Sequence, residues 1–329
     1  MKIDESIQIG NQTFRTRIVM PPIATYRCTQ TGGNVTDEMI DYYGKCAANK
    51  NVGLIITEHS YITMQGKAKE KQLSIADDSN IEGLSRLTDV IHQNGDKVFA
   101  QLNHAGSAAI PNVTNMDIVA PSSIALPVVP PISDNEMPKE LSKTEIENII
   151  EAFVQASIRA KKAGYDGVEI HSAHGYLLNQ FYSPLTNRRK DEYGGSLENR
   201  LRIHTETIRA VRQAVGNDYP ISVRFGGCDY MEGGSTIDDC VKACRLFEKE
   251  GVDMISLSGG MCRYTRKGHT EPGYFQDMSL AVKKQVSIPV LLTGGVTTRK
   301  EAEQLIENHA ADLVGVGRAL LKNPQWEDM

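Results

Sequence analysis

The sequence predicts a single (β/α)8 TIM barrel, an α/β fold of eight parallel strands ringed by helices. Three observations predict it. Eight short apolar runs recur along the 329 residues, each followed by a longer amphipathic stretch. The runs do not alternate cleanly between apolar and polar residues, as suits strands buried on both faces. The phrases leading into the strands come in two flavours: NKNVGLIIT, KAGYDGVEI, EGVDMISL and HAADLVGV, and GDKVFAQL, NDYPISVRF and VSIPVLLTG. The flavours alternate from the second strand to the eighth, the rhythm of a doubled βα unit. With no long linker, one closed barrel over residues 1–329 is favoured over an open doubly wound sheet.

The elements follow in order. IQIGNQTFRTR, before the first strand, reads as a small β-hairpin closing the barrel floor. Strands begin near Arg17 (RIVM), Leu54 (LIIT), Lys97 (KVFAQL), Gly167 (GVEIH), Pro220 (PISVRF), Met254 (MISL), Pro289 (PVLLT) and Leu313 (LVGV). Helices are expected over residues 37–48, 80–94, 143–163, 196–215, 236–250, 276–285 and 298–308. Their ends carry cap chemistry: Ser142 precedes a helix with Glu145 three residues on, and Gly95, Gly164 and Gly251 follow helical runs. A Pro-, Ser- and Ala-rich excursion occupies residues 105–141 after the third strand. It is either a wall of a substrate site or a tolerated insertion.

Composition sets the class. Forty per cent apolar and 23% charged residues exclude disordered and fibrous chains. A net charge of −5 without like-charge runs argues against nucleic acid or an anionic membrane as main partner. No secretory signal or bilayer-spanning stretch is visible, and six cysteines without a C-x-x-C pair read as reduced thiols of a cytoplasmic protein.

Barrels of this kind carry function at the C-terminal ends of their strands. Those ends hold Pro21-Pro22, Glu58-His59, Gln101 with His104, His171 with His174, Arg224, Ser258-Gly259-Gly260, Gly294-Gly295, and Gly315 and Gly317 with Arg318. TGGV after strand seven and GVGRAL after strand eight suit a phosphate: glycines admit close backbone approach, a helix start adds partial positive charge, and Arg318 adds a charged donor. Either loop alone reads as a tight turn. His171 and His174, followed by Tyr176 and Asn179, can hold or polarise a carbonyl-type oxygen while a phenol supplies a proton. Metal binding by the histidine pair is the weaker reading, since no other strand end completes a ligand set. Arg224 at the mouth points to an anionic or polar ligand, with pairing to Glu169 or Glu58 as the plain alternative.

In these phrases the chain resembles the Old Yellow Enzyme family of flavin-dependent ene-reductases. The matching stretches are RIVMPP, GLIITE, FAQLNHAG, GVEIHSAHGYLLNQFYSPLTNRRKDEYGGSLENR, ISVRF, TGGV and GVGRALL, in order from residue 17 to about 324. The resemblance implies noncovalent FMN, reduction by NADH or NADPH, and hydride delivery to the activated C=C bond of a small-molecule alkene. It places Pro21, Pro22 and Ala24 at the flavin edge, Gln101 at its pyrimidine and Arg224 near N1 and O2. Gly294, Gly295, Gly317 and Arg318 take the phosphate. His171 and His174 bind the acceptor oxygen, Tyr176 protonates, and Tyr26 faces the substrate. Apart from the resemblance, substrate choice is expected to depend on Tyr26, the 105–141 excursion and the loop of residues 261–275 with Tyr264.

There are departures from the family pattern. Ala24 offers the flavin O4 no side-chain hydrogen bond where threonine or cysteine is frequent, and His59 stands where that contact can come instead. Ser107 replaces an arginine frequent after H-x-G. The chain stops soon after Trp326, so the iron–sulfur and pyridine-nucleotide domains of larger enoate and dienoyl-CoA reductases are not expected, and hydride should come from a diffusing nicotinamide. The family's habit makes a homo-oligomer possible. The alternative of another class is a non-redox barrel lyase or isomerase acting on a phosphorylated substrate.

Overall fold

The structure, a computed structural model, describes residues 2–128 and 137–326. Residues 129–136 of the proline-rich excursion lie outside the described residues. Eight parallel strands form the barrel: β1 Ile18–Met20, β2 Leu54–Ile56, β3 Lys97–Asn103, β4 Gly167–Ser172, β5 Ile221–Cys228, β6 Met254–Gly259, β7 Val290–Thr293 and β8 Leu313–Gly315. Each pairs with the next, and β8 pairs with β1 through Val314 and Ile18, so the ring closes. The main helices are α1 Asp37–Ala47, α2 Ile81–His92, α3 Lys143–Lys162, α4 Arg202–Val215, α5 Ile237–Lys249, α6 Gln276–Lys283, α7 Arg299–Glu307 and the short α8 Arg318–Lys322.

Helix starts follow cap chemistry. Thr36, Ser142, Thr236 and Thr298 each accept a backbone N–H three residues on. At the last three, Glu145, Asp239 and Glu301 return the bond as capping boxes. One prediction differs: the helix expected over 196–215 is two, Leu197–Arg200 and α4. Leu201 keeps right-handed dihedrals, so the periodicity runs through the break, while Arg200 Nε donates to Tyr182 O at 2.8 Å.

The barrel interior changes character along its axis. At the floor, strands Ile7–Ile9 and Gln12–Phe14 form the expected hairpin, turned at Gly10 (φ +58°). Its Ile9 and Phe14 plug the barrel against Val19, Leu54, Ile56, Phe99, Met254, Leu291 and Leu313. Phe14 meets Phe99 edge-on, with ring centroids 5.8 Å apart. Above this plug lies a polar layer. Gln101 and Ser222 are register partners of Glu169 and donate to its carboxylate at 2.8 and 3.2 Å. The next layer toward the C-terminal ends pairs His171 with Arg224 and Arg224 with Ser256. The outward strand faces pack under the helices.

The described part of the excursion is anchored. Val119–Ala120 pairs in parallel with Lys139–Glu140, and Arg189 Nη1 donates to Pro121 O and Leu141 O at 3.0 and 2.6 Å. All six cysteines are free and buried. No helix of the described residues is long and apolar enough to cross a membrane.

Candidate active site

The site is built from the turn that follows β4. His171 faces the interior, while the next residue, Ser172, meets His204 Nε2 at 2.7 Å. The chain then takes two left-handed residues, His174 (φ +62°) and Gly175 (φ +76°). A side chain at Gly175 would strike Val128 as well as strain the backbone. Asn179 Oδ1 accepts the Gly175 N–H at 2.8 Å, and Gln180 Nε2 donates to Gly175 O at 2.6 Å and Ala105 O at 3.2 Å. This bracing sets Tyr176 at the start of the short helix Leu177–Tyr182.

The result is a cluster of rings. His171 lies 5.2 Å from His174, 5.1 Å from Tyr176 and 6.2 Å from His59, centroid to centroid and edge-on in each case. His59 stacks on Tyr176 at 5.4 Å, and His174 stands 6.0 Å from Tyr264. The imidazoles therefore face one another and two phenols, not packed hydrocarbon.

Local bonding assigns their protons. His171 Nδ1 accepts the Ala173 N–H at 3.3 Å, which leaves Nε2 to carry the proton. Burial, reinforced by His174, His59 and Arg224, holds the His171 imidazole well below its ordinary pKa. Burial and the charges of Arg224 and Arg263 do the same for His174, whose Nε2 meets Ser258 Oγ at 2.7 Å. The amide nitrogens of Gln72 and Asn103 both approach His59 Nδ1 at 3.1 Å, so that nitrogen accepts, and burial lowers His59 to about 4. Burial pushes the Tyr176 phenol up to about 12. Near neutrality this is a set of uncharged imidazoles beside a protonated phenol, able to hold a carbonyl-type oxygen and give up a proton.

Arg224 lies beside this cluster, fully inside the barrel. Its Nη2 makes a long 3.5 Å contact to Thr293 Oγ1, while Nε and Nη1 meet no acceptor among the described residues. The charge of Glu169 reaches it and opposes the desolvation of its guanidinium. Glu58 is engaged elsewhere: its Oε2 accepts the Thr25 N–H at 3.2 Å and the Thr25 hydroxyl at 2.5 Å, tying down the segment that carries Pro21, Pro22 and Ala24. Two buried donors without a partner fit an electron-rich ring system such as a flavin. Gln101 gives its Nε2 to Glu169 beneath the same space.

The two glycine loops are neighbours, since Thr293 and Gly315 are register partners. Gly294 (φ +126°) and Gly295 (φ +73°) need glycine for their backbone, and side chains there would also strike Tyr274. Gly317 packs on Pro21 and Ile23 at the start of α8, where Arg318 is exposed. Tyr26 and Tyr264 stand at the rim, 45% and 47% exposed.

Sequence reasoning missed four contributors. Gln180 braces the histidine turn and also accepts the Ser107 N–H at 3.2 Å. Asp229 accepts from Ser183 Oγ, Ser235 N and Met261 N at 2.6, 2.8 and 2.8 Å, joining three loops. Lys69 Nζ donates to Tyr26 Oη at 2.7 Å, and Arg263 lies over the Tyr264 ring at 5.1 Å. Neither Lys69 nor Arg263 stands out in a sequence without like-charge runs.

A family model described as NADH:flavin oxidoreductase / NADH oxidase matches residues 2–328. The chain is 41% identical over 325 residues to an NADH oxidase of Thermoanaerobacter brockii, covering 97% of this chain and 49% of that protein. It is 40% identical over 316 residues to an NADPH dehydrogenase of Geobacillus thermodenitrificans (strain NG80-2), covering 95% of this chain and 89% of that one. The chain thus spans about half the length of the first relative and nearly all of the second. An Old Yellow Enzyme homologue from Zymomonas mobilis superposes with a TM-score of 0.86 at 27% identity, over 98% of this chain and 90% of its own.

Proposed function

The chain belongs to the NADH:flavin oxidoreductase / NADH oxidase family, the Old Yellow Enzyme group of FMN-dependent NAD(P)H oxidoreductases, and from that premise we propose that it reduces the activated C=C bond of a small enone or enoate. The observation that carries this reading is the neutral ring cluster His59, His171, His174 and Tyr176 beside the two unpartnered donors of Arg224.

Arg224 and Gln101 would hold the polar edge of the flavin, with Pro21, Pro22, Ala24 and His59 lining its other edges. Gly294, Gly295, Gly317 and Arg318 would take its phosphate. When bound, FMN supplies the hydride acquired from NADH or NADPH. The chain's own groups do the rest. His171, through its Nε2–H, and His174 bind the acceptor's oxygen and draw electron density from the double bond. Tyr176, protonated because it is buried, gives its proton to the carbon next to the carbonyl. Tyr26 and Tyr264, at the rim, would face the incoming acceptor.

The test is NAD(P)H consumption by the FMN-loaded protein under argon. Turnover that starts only on adding 2-cyclohexen-1-one, with cyclohexanone formed in equal amount, supports the reading. Turnover with oxygen but with no activated alkene overturns it in favour of an oxidase.

A further inference from the structure

Gln72 has no part in the chemistry just described, yet it touches the ring cluster. It is buried in the segment after β2, and both ends of its amide are in use. Its Oε1 accepts the Ala68 N–H at 2.6 Å, while its Nε2 lies 3.1 Å from both His59 O and His59 Nδ1. The Ala68 bond fixes which way the amide points, because only its carbonyl end can accept. His59 O demands the same arrangement, since an amide oxygen there would meet another oxygen. Gln72 therefore presents its NH2 group to His59, and Nδ1 is the acceptor.

Asn103 stands 3.1 Å from the same nitrogen but does not decide the matter. Its Oδ1 meets no hydrogen-bond partner among the described residues, so nothing fixes which end of that amide faces His59. A neutral imidazole whose Nδ1 accepts carries its proton on Nε2. The two ring nitrogens point different ways, so this N–H is directed away from Gln72 and Asn103. It meets no hydrogen-bond partner among the described residues, and the half-buried ring stacks on Tyr176 at 5.4 Å. His171 is set in the same manner, by the Ala173 N–H on its own Nδ1. Neither Nε2 then offers a lone pair that would compete for the Tyr176 proton. Bracing the chain needs only the bonds to Ala68 N and His59 O; the contact at Nδ1 goes beyond it.

We propose that Gln72 is a positioning residue that fixes His59 as the Nε2–H tautomer, making His59 a further hydrogen-bond donor to the bound ligand. This rests on the reading of the ring cluster as the alkene site. The recipient is an atom with a free electron pair, and it has two sources. One is the edge of the flavin, to which Ala24 offers no side-chain donor; the other is the oxygen of the acceptor. Burial, which lowers His59 to about 4, keeps the donor uncharged near neutrality.

The first measurement uses FMN-loaded wild type labelled with 15N-histidine, its His59 signals identified by their loss in His59→Phe. Long-range 15N–1H NMR spectra should show His59 protonated on Nε2 alone, and any other state overturns the proposal. In Gln72→Glu a carboxylate replaces the donor and should draw the proton to Nδ1. That variant should bind a ligand about tenfold more weakly, read as the apparent Kd of FMN for the apoprotein and of cyclohexanone for the loaded protein. A fall in FMN affinity makes the flavin edge the recipient, and a fall in cyclohexanone affinity makes it the acceptor's oxygen. An unmoved proton, or both affinities unchanged, overturns the proposal. A merely bracing role would lower the unfolding temperature without moving the proton. None of these readouts needs turnover, so a failure to reduce alkenes would leave them readable.

Discussion

His171 and Arg224 are register partners on neighbouring strands, so an uncharged imidazole and a buried guanidinium share one layer of the barrel wall. The strand pairing thereby places the imidazole proposed to bind the acceptor oxygen and a buried cation that suits an anionic ring side by side. Arg224→Gln should weaken FMN binding by about tenfold or more, because charged donors are the strong ones and glutamine cannot replace the guanidinium. Fluorescence quenching of FMN on titration with apoprotein measures this. Unaltered affinity would remove Arg224 from the cofactor site.

The pH dependence of alkene reduction follows from the ring environments. Burial keeps His171 and His174 well below their ordinary pKa, and Tyr176 near 12. Lowering pH past about 6.5, the usual imidazole value, therefore leaves them uncharged, and raising it to about 9 leaves the phenol protonated. The rate at which enone reoxidises the reduced protein should be flat across that window. Stopped-flow measurements showing an inflection near about 6.5 would mean that one imidazole titrates there.

The floor makes a prediction of stability. Phe14 is fully buried and seals the apolar plug against Phe99. Phe14→Ala should cost about 3–5 kcal/mol in urea unfolding, through lost burial and the cavity left behind. Its distance from the mouth predicts ring-cluster chemistry close to that of the wild type at low temperature.

Asp229 tests the loop joint. Its carboxylate takes three hydrogen bonds from the segments at Ser183, Ser235 and Met261. Asp229→Ala should cost about 2–4 kcal/mol, since three buried donors lose their shared acceptor. It should also raise hydrogen exchange at the Met261 amide more than in α3.

Much of this was legible along the chain. Parallel strands announce themselves as apolar runs because both faces are buried. The hairpin and the Ser142–Glu145 box were legible because their partners lie within a few residues. The His171–His174–Tyr176 spacing was legible for the same reason. What was hidden depends on distant partners. Lys69 meets Tyr26 across 43 residues, and Asp229 reaches Ser183 across 46. The break at Leu201 left the helical period intact, so the pattern of residues 196–215 could not show it.

The central claim, that paired imidazoles hold the acceptor while Tyr176 supplies its proton, is tested most directly by a single turnover under argon. Protein reduced with NADH is mixed with 2-cyclohexen-1-one, and return of the oxidised flavin spectrum is timed for wild type and Tyr176→Phe. The account predicts prompt reoxidation in the wild type, a slowing of about 100-fold or more in the variant, and bleaching by NADH at the wild-type rate in both. Equal loss of both half-reactions in the variant, or no reoxidation by the enone in the wild type, would contradict it.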